Sequence, residues 1–153
     1  MLRSDLPIAL IPEYIVDYDD AAGIDADQSP ADVAVFSIPF KCTVLRAMLV
    51  VTETCAGATT TPVAVMDSRP TAGSDTDRGS ADVASFVLST TAQGESLYDD
   101  AGYGVELEPG EEVVVELTVQ ATGSGAAGHF RPVLLVRYEP EAVGNLANMV
   151  ETA

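Results

Sequence analysis

From Asp32 to Phe40 the side chains alternate in character, with Ala34, Phe36, Ile38 and Phe40 on one side and Val33, Val35 and Ser37 on the other. A period of two with one strongly apolar face predicts a half-buried β-strand. Thr43 to Glu53 is longer and apolar on both sides: Leu45, Ala47, Leu49 and Val51 on one, Val44, Arg46, Met48 and Val50 on the other. That pattern predicts a central strand, or one covered by another subunit. Pro62 to Met66 predicts a short strand. Asp82 to Ser89 predicts another, with Ala84, Phe86 and Leu88 facing one way.

The clearest alternation is Val113, Val115, Leu117 and Val119 against Glu112, Glu116, Thr118 and Gln120, with Val114 out of step. Glu108-Pro109-Gly110-Glu111 precedes it as a turn. Thr122 to Gly128 predicts a flexible hairpin connection to a final strand, Phe130 to Tyr138. Seven or eight strands at short spacing, with no long helical pattern and no fixed repeat, predict an all-β fold. The expected form is an antiparallel β-sandwich of jelly-roll type, spanning residues 31–139.

Both ends differ from this body. Residues 1–30 carry apolar patches at Leu6, Ile8, Leu10, Ile11 and Tyr14, broken by prolines and followed by an acidic stretch. They predict an extended arm whose apolar side chains need a partner surface, and whose removal leaves the β-domain folded. Residues 140–153 form a short tail in which Val143, Leu146, Ala147 and Val150 fall at helical spacing. So short a segment orders only by docking. Leu6, Ile8, Leu10, Ile11, Tyr14, Val143, Leu146 and Val150 are therefore candidate interface residues. Arg131 and Arg137 join them, on one face of the last strand with Val133 and Leu135. Arginines so placed fork to carboxylates, across an interface or within the chain.

Composition sharpens this picture. The chain has 153 residues, enough for one domain with its own core, and 47% are apolar. Seven basic residues against 24 acidic ones give a net charge of −17, with Lys41 the single lysine. Such a field repels nucleic acid and anionic lipid, and favours a partner with basic patches. No run approaches the length of a membrane-spanning helix, and no secretory leader is predicted. Cys42 and Cys55 sit about 40 Å apart along one extended strand, beyond disulfide reach, so both are expected to be reduced in a cytosolic environment.

Candidate chemistry is sparse. Gly123-Ser124-Gly125-Ala126-Ala127-Gly128 matches a dinucleotide-binding loop letter for letter, but Arg131-Pro132 continues into a strand instead of a helix. Acidic groups at Asp17, Asp19, Asp25 and Asp27, or at Asp75 and Asp77, lack the spacing of a calcium loop; an adventitious calcium site stays open. His129 with Cys42 or Cys55 lacks an orienting partner. Glu111 with Glu112, or Glu106 with Glu108, lacks a sugar platform beside it. Catalysis, a resident cofactor and a small-molecule substrate are not expected.

The run from Val105 through Glu108-Pro109-Gly110 to Val119, then the Gly/Ala loop and Phe130 to Tyr138, resembles the closing strands of jelly-roll head decoration (cement) proteins of tailed bacteriophages. Ser37-Ile38-Pro39-Phe40 followed by Cys42 to Val50 resembles their opening strands. The resemblance implies a virion protein made in the host cytoplasm that sits as a homotrimer on the outer capsid surface and binds the major capsid protein. It implies no catalytic residues. A glycan- or receptor-binding module on the same scaffold is the alternative, for which Tyr98 and Tyr103 are the available aromatics.

Overall fold

A computed structural model describes residues 7–69 and 82–139. Among these residues there are eleven strands and no helix. They are β1 (Pro7–Leu10), β2 (Glu13–Tyr14), β3 (Ile24–Asp25), β4 (Ala31–Ser37), β5 (Cys42–Ala56), β6 (Val63–Arg69), β7 (Ala84–Val87), β8 (Ser96–Asp99), β9 (Glu106–Leu107), β10 (Glu112–Val119) and β11 (Ala127–Tyr138). All pairings between them are antiparallel. One sheet runs β1-β11-β5-β8, with β3 added to β11 and β9 to β5; the other runs β2-β4-β10-β6-β7.

The period-two strands behave as predicted where their registers are regular. Val113, Val115 and Leu117 of β10 point inward and are completely buried, as are Ala84 and Leu88 around β7. They meet Leu49, Phe130, Leu134 and Val136 from the opposite sheet in one shared core. Each such large side chain withdrawn from water contributes about 1.5–3 kcal/mol.

Departures from strict alternation have a specific cause. Strand β5 spends fifteen residues against the twelve of β11, and the ladder slips at three places. At one slip Leu135 faces Arg46 and Val136 faces Val44, so Leu45 is the extra residue. A bulge changes which face the following side chains occupy. Cys42 and Val44 are therefore inside before it, and Ala47, Leu49 and Val51 after it. The expectation that Leu45 shares one face with Ala47 is corrected. A similar slip in β4 leaves Val33 opposite no partner, and Val33 and Ala34 are both buried.

The segment predicted as a free arm is, over its described residues, part of both sheets. β1 pairs with Leu134–Arg137, β2 with Ala34 and Val35, and β3 with His129 and Phe130. The chain crosses from one sheet to the other at Ile11-Pro12, with Pro12 buried. Prolines stop a helix here, as predicted, but they do not stop short strands at a sheet edge. Ile24 and Ala26 are fully buried, and Ile8, Leu10, Tyr14 and Val16 pack against the core. Deleting residues 1–28 therefore removes core, contrary to the sequence-based expectation.

One further expectation changes. The Thr122–Gly128 loop joins β10 of one sheet to β11 of the other, so it is a crossover and not a hairpin. Its last glycine is required: Gly128 has φ +135°, and a Cβ there would fall 2.7 Å from the Cys55 sulfur. The opposite margin of the molecule is held differently. There β7 and β8 belong to different sheets, and the Ser85 backbone N–H donates to Asp99 Oδ2 at 2.9 Å.

Candidate interaction surfaces

Alternate residues of β11 leave the core, so His129, Arg131, Val133, Leu135 and Arg137 line the outer face of the first sheet, Arg131 and Arg137 sharing it with Val133 and Leu135 as expected. Arg46, Met48 and Val50 of β5 lie beside them, with Leu135 opposite Arg46, Val133 opposite Met48 and Arg131 opposite Val50. Tyr98 of β8 stands opposite Met48. Both arginines are engaged within the chain. Arg131 donates to the Ala21 carbonyl, and Arg137 to Glu139 Oε1 at 3.0 Å, the same oxygen that accepts from Thr43. Arg137 and Thr43 together hold the Glu139 carboxyl below its usual range, the Thr43 hydrogen bond first.

At the centre of this face Arg46 forks onto Asp100, Nε to Oδ1 at 2.6 Å and Nη2 to Oδ2 at 2.8 Å. Its guanidinium also lies 4.4 Å from the ring centre of Tyr98, an arrangement that fixes both groups. The hydrogen bond raises the Arg46 pKa and lowers that of Asp100. The bulge turns Leu45 outward next to Arg46, and together with Asp100, Tyr103 and Leu135 they line an open concavity of about 390 Å³. Tyr98 and Tyr103 are 62% and 66% exposed, unusually open for rings of that size. Residues 46 and 100 are 54 apart in sequence, and no local pattern announces their pairing.

At one end of the same face His129 bridges two elements. Its Nε2 lies 3.2 Å from Asp20 Oδ2, and its Nδ1 contacts the Glu53 carboxylate. Burial opposes charging the ring, but Glu53, Asp25 and Asp20 outweigh it and raise the pKa. Neither cysteine is the histidine's partner. Burial, joined by nearby carboxylates, pushes both the Cys42 and Cys55 thiols up to about 11. Both are free and buried in β5, so they pack as small apolar groups.

The acidic loop uses its carboxylates to shape itself. Asp17 accepts from the Asp25 N–H at 3.1 Å, Asp20 from Ala22 at 2.7 Å, and Asp25 from Asp27 at 3.0 Å. Among the described residues no three His, Cys, Asp or Glu side chains converge as a metal site. Asp75 and Asp77 lie outside the described residues. Glu111 accepts from the Glu108 N–H at 2.8 Å, and Lys41 pairs with Glu108 at 3.2 Å, so these acids staple the turn before β10.

Of the sequence-predicted interface residues, Ile8, Leu10 and Tyr14 lie against the chain's own core. Among the described residues of that apolar group Ile11 alone stands out, 80% exposed, and Ile15 and Tyr18 stand out with it at 51% and 80%. Leu6, Val143, Leu146 and Val150 lie outside the described residues. A group the sequence did not single out is Asp32, Asp67 and Arg69 on the outer face of the second sheet. Arg69 reaches Asp32 at 3.2 Å, and Asp67 and Arg69 are buried there beside Val114. This explains why Val114 breaks the alternation of β10: both of its faces are covered.

Comparison with protein families, curated proteins and solved structures found no match.

Proposed function

We propose that the chain is a non-enzymatic virion structural protein. In this role it decorates the outer surface of a capsid as a homotrimer and ties neighbouring major capsid subunits together. The observation that carries the proposal is the cluster in sequence of outward apolar side chains, Ile11, Ile15 and Tyr18, where the chain passes between the sheets. A chain of net charge −17 repels most cellular polyanions. Exposed apolar residues in such a field suit a dedicated partner that offers apolar area with a basic rim. Cyclic trimers suit local threefold positions on a shell and cover sheet edges that would otherwise stay open.

The strand order supports the jelly-roll assignment. Counting only the eight strands of four or more residues in chain order, one sheet runs 1-8-3-6 and the other 2-7-4-5. Successive strands, except the hairpin of the fourth and fifth, thus swap sheets in the manner of two interlocked Greek keys. Light scattering on the purified chain is expected to report a trimer, and electron images of particles to place its density outside the shell. Ile11→Asp with Tyr18→Asp is expected to release the protein from shells with its melting temperature unchanged. A monomer at high micromolar concentration, or retention of that double variant, would overturn the proposal.

A second function, a glycan- or receptor-binding module, is favoured by one observation: Tyr103 lines an open concavity with the Arg46–Asp100 pair, and the Tyr98 ring lies against the Arg46 guanidinium. That site lies toward the β8 side of the first sheet, whereas Ile11 follows β1 at its other edge. The two functions are therefore compatible in one molecule.

A further inference from the structure

The geometry points to a binding subsite for a neutral saccharide in the concavity formed by Leu45, Arg46, Asp100, Tyr103 and Leu135; the inference rests on the binding-module function just described. The first ground is shape and lining. A volume of about 390 Å³ lies within the range of small-ligand sites, about 300–1,000 Å³. Its walls combine two aliphatic side chains, an exposed tyrosine ring and one fixed polar pair. A pyranose has the matching surface, with C–H groups that lie flat on an aromatic ring and hydroxyls at its rim.

The second ground is the state of the polar pair. A guanidinium carries five N–H donors, and only two of Arg46's are committed to Asp100. Each Asp100 oxygen keeps acceptor capacity beyond the bond it receives. Adjacent hydroxyls, each both donor and acceptor, can therefore bridge the outer side of the pair without breaking it. Because the Tyr98 ring lies 4.4 Å from the guanidinium, that side chain is already held in place, and little ordering cost remains for the ligand to offset.

The third ground is charge, which excludes the alternatives. The molecule's −17 disfavours an anionic sugar at a site where Arg46 is already neutralised. A cationic ligand meets Arg46, which already occupies the Tyr98 ring. An uncharged polyhydroxylated ligand has neither conflict.

The test is a titration of the full chain with glucose, galactose, mannose and N-acetylglucosamine at tens of millimolar, followed by amide NMR shifts and saturation transfer to the sugar. At least one sugar is expected to shift the amides of Arg46, Asp100 and Tyr103 saturably. Tyr103→Ala is expected to weaken that binding about tenfold, and Tyr103→Phe to retain it. Because Tyr103 is exposed, neither change threatens the fold, and an unchanged melting curve checks this directly. Absence of shifts with all four sugars, or unaltered affinity in Tyr103→Ala, overturns the subsite. A sialylated or sulfated glycan that binds while these amides stay still overturns the neutral-saccharide subsite but leaves the module function standing. Silence toward charged and neutral glycans alike overturns both the subsite and the glycan-binding form of the module function.

Discussion

The two margins of the molecule are closed by different means. On one, the chain itself runs from β1 in the first sheet through Pro12 to β2 in the second, then returns to the first sheet as β3 and buries Ile24 and Ala26 there. On the other, two separate edge strands, β7 and β8, meet through the Asp99 carboxylate and the Ser85 amide. The first closure draws on a chain that runs continuously between the sheets; the second joins two strands distant along the sequence, with an exposed hydrogen bond between them. Covalent continuity combined with burial makes the N-terminal margin part of the core. The β7–β8 margin is the weaker seam.

The largest expected effect follows directly. Removing residues 1–28 is expected to abolish the cooperative thermal transition seen by circular dichroism, since three strands leave with them. A truncated chain that still melts cooperatively would break the contrast between the margins. Next comes Ile24→Ala, expected to cost about 2–5 kcal/mol in urea unfolding, whereas Val87→Ala at an exposed position of β7 is expected to stay within about 0.5 kcal/mol. Asp99→Ala removes the acceptor for both the Ser85 and Ala101 amides and is expected to cost about 1 kcal/mol. A loss there as large as that of Ile24→Ala would equalise the two seams.

The smallest effect concerns pH. His129 fastens Asp20, on the N-terminal loop, to Glu53 of β5, and its folded pKa lies above the free value of 6.5. The folded state therefore binds that proton more tightly than the unfolded chain. The resulting stability is complete below about 6.5 and is lost as pH rises through the folded value. The gap in unfolding free energy between the natural chain and His129→Gln should shrink from about pH 5.5 to about pH 8.5. A gap that widens over that interval would show that His129 does not tie this loop down through its charge.

What was legible in the sequence tracks the length and regularity of each strand. β10 and the inner residues of β4 and β7 could be read because alternation persists over several residues, and the core consumes that alternation unchanged. β1, β2 and β3 could not, because two to four residues interrupted by prolines carry no period; their pairing is fixed by β11 and β4, far away in sequence. β5 was legible as a long, doubly apolar strand, but a bulge leaves no local mark, so the facing of Leu45 was not. Arg131 and Arg137 could be assigned to one face of β11 from the sequence, whereas their carbonyl and carboxylate partners emerge only from the fold. The Arg46–Asp100 pair was invisible for the same reason.

The pairing of Pro7 with Arg137 has a mechanical consequence. The two residues stand opposite each other at one end of the β1–β11 ladder, about 5 Å apart. Tension applied at those two points would peel β1 from β11 one hydrogen bond at a time, a low-force route, so any load the protein bears is better delivered through its flanks. The same proximity means a few added residues could splice Pro7 to Glu139, letting fresh ends be opened at the Pro109-Gly110 turn while every strand keeps its neighbours.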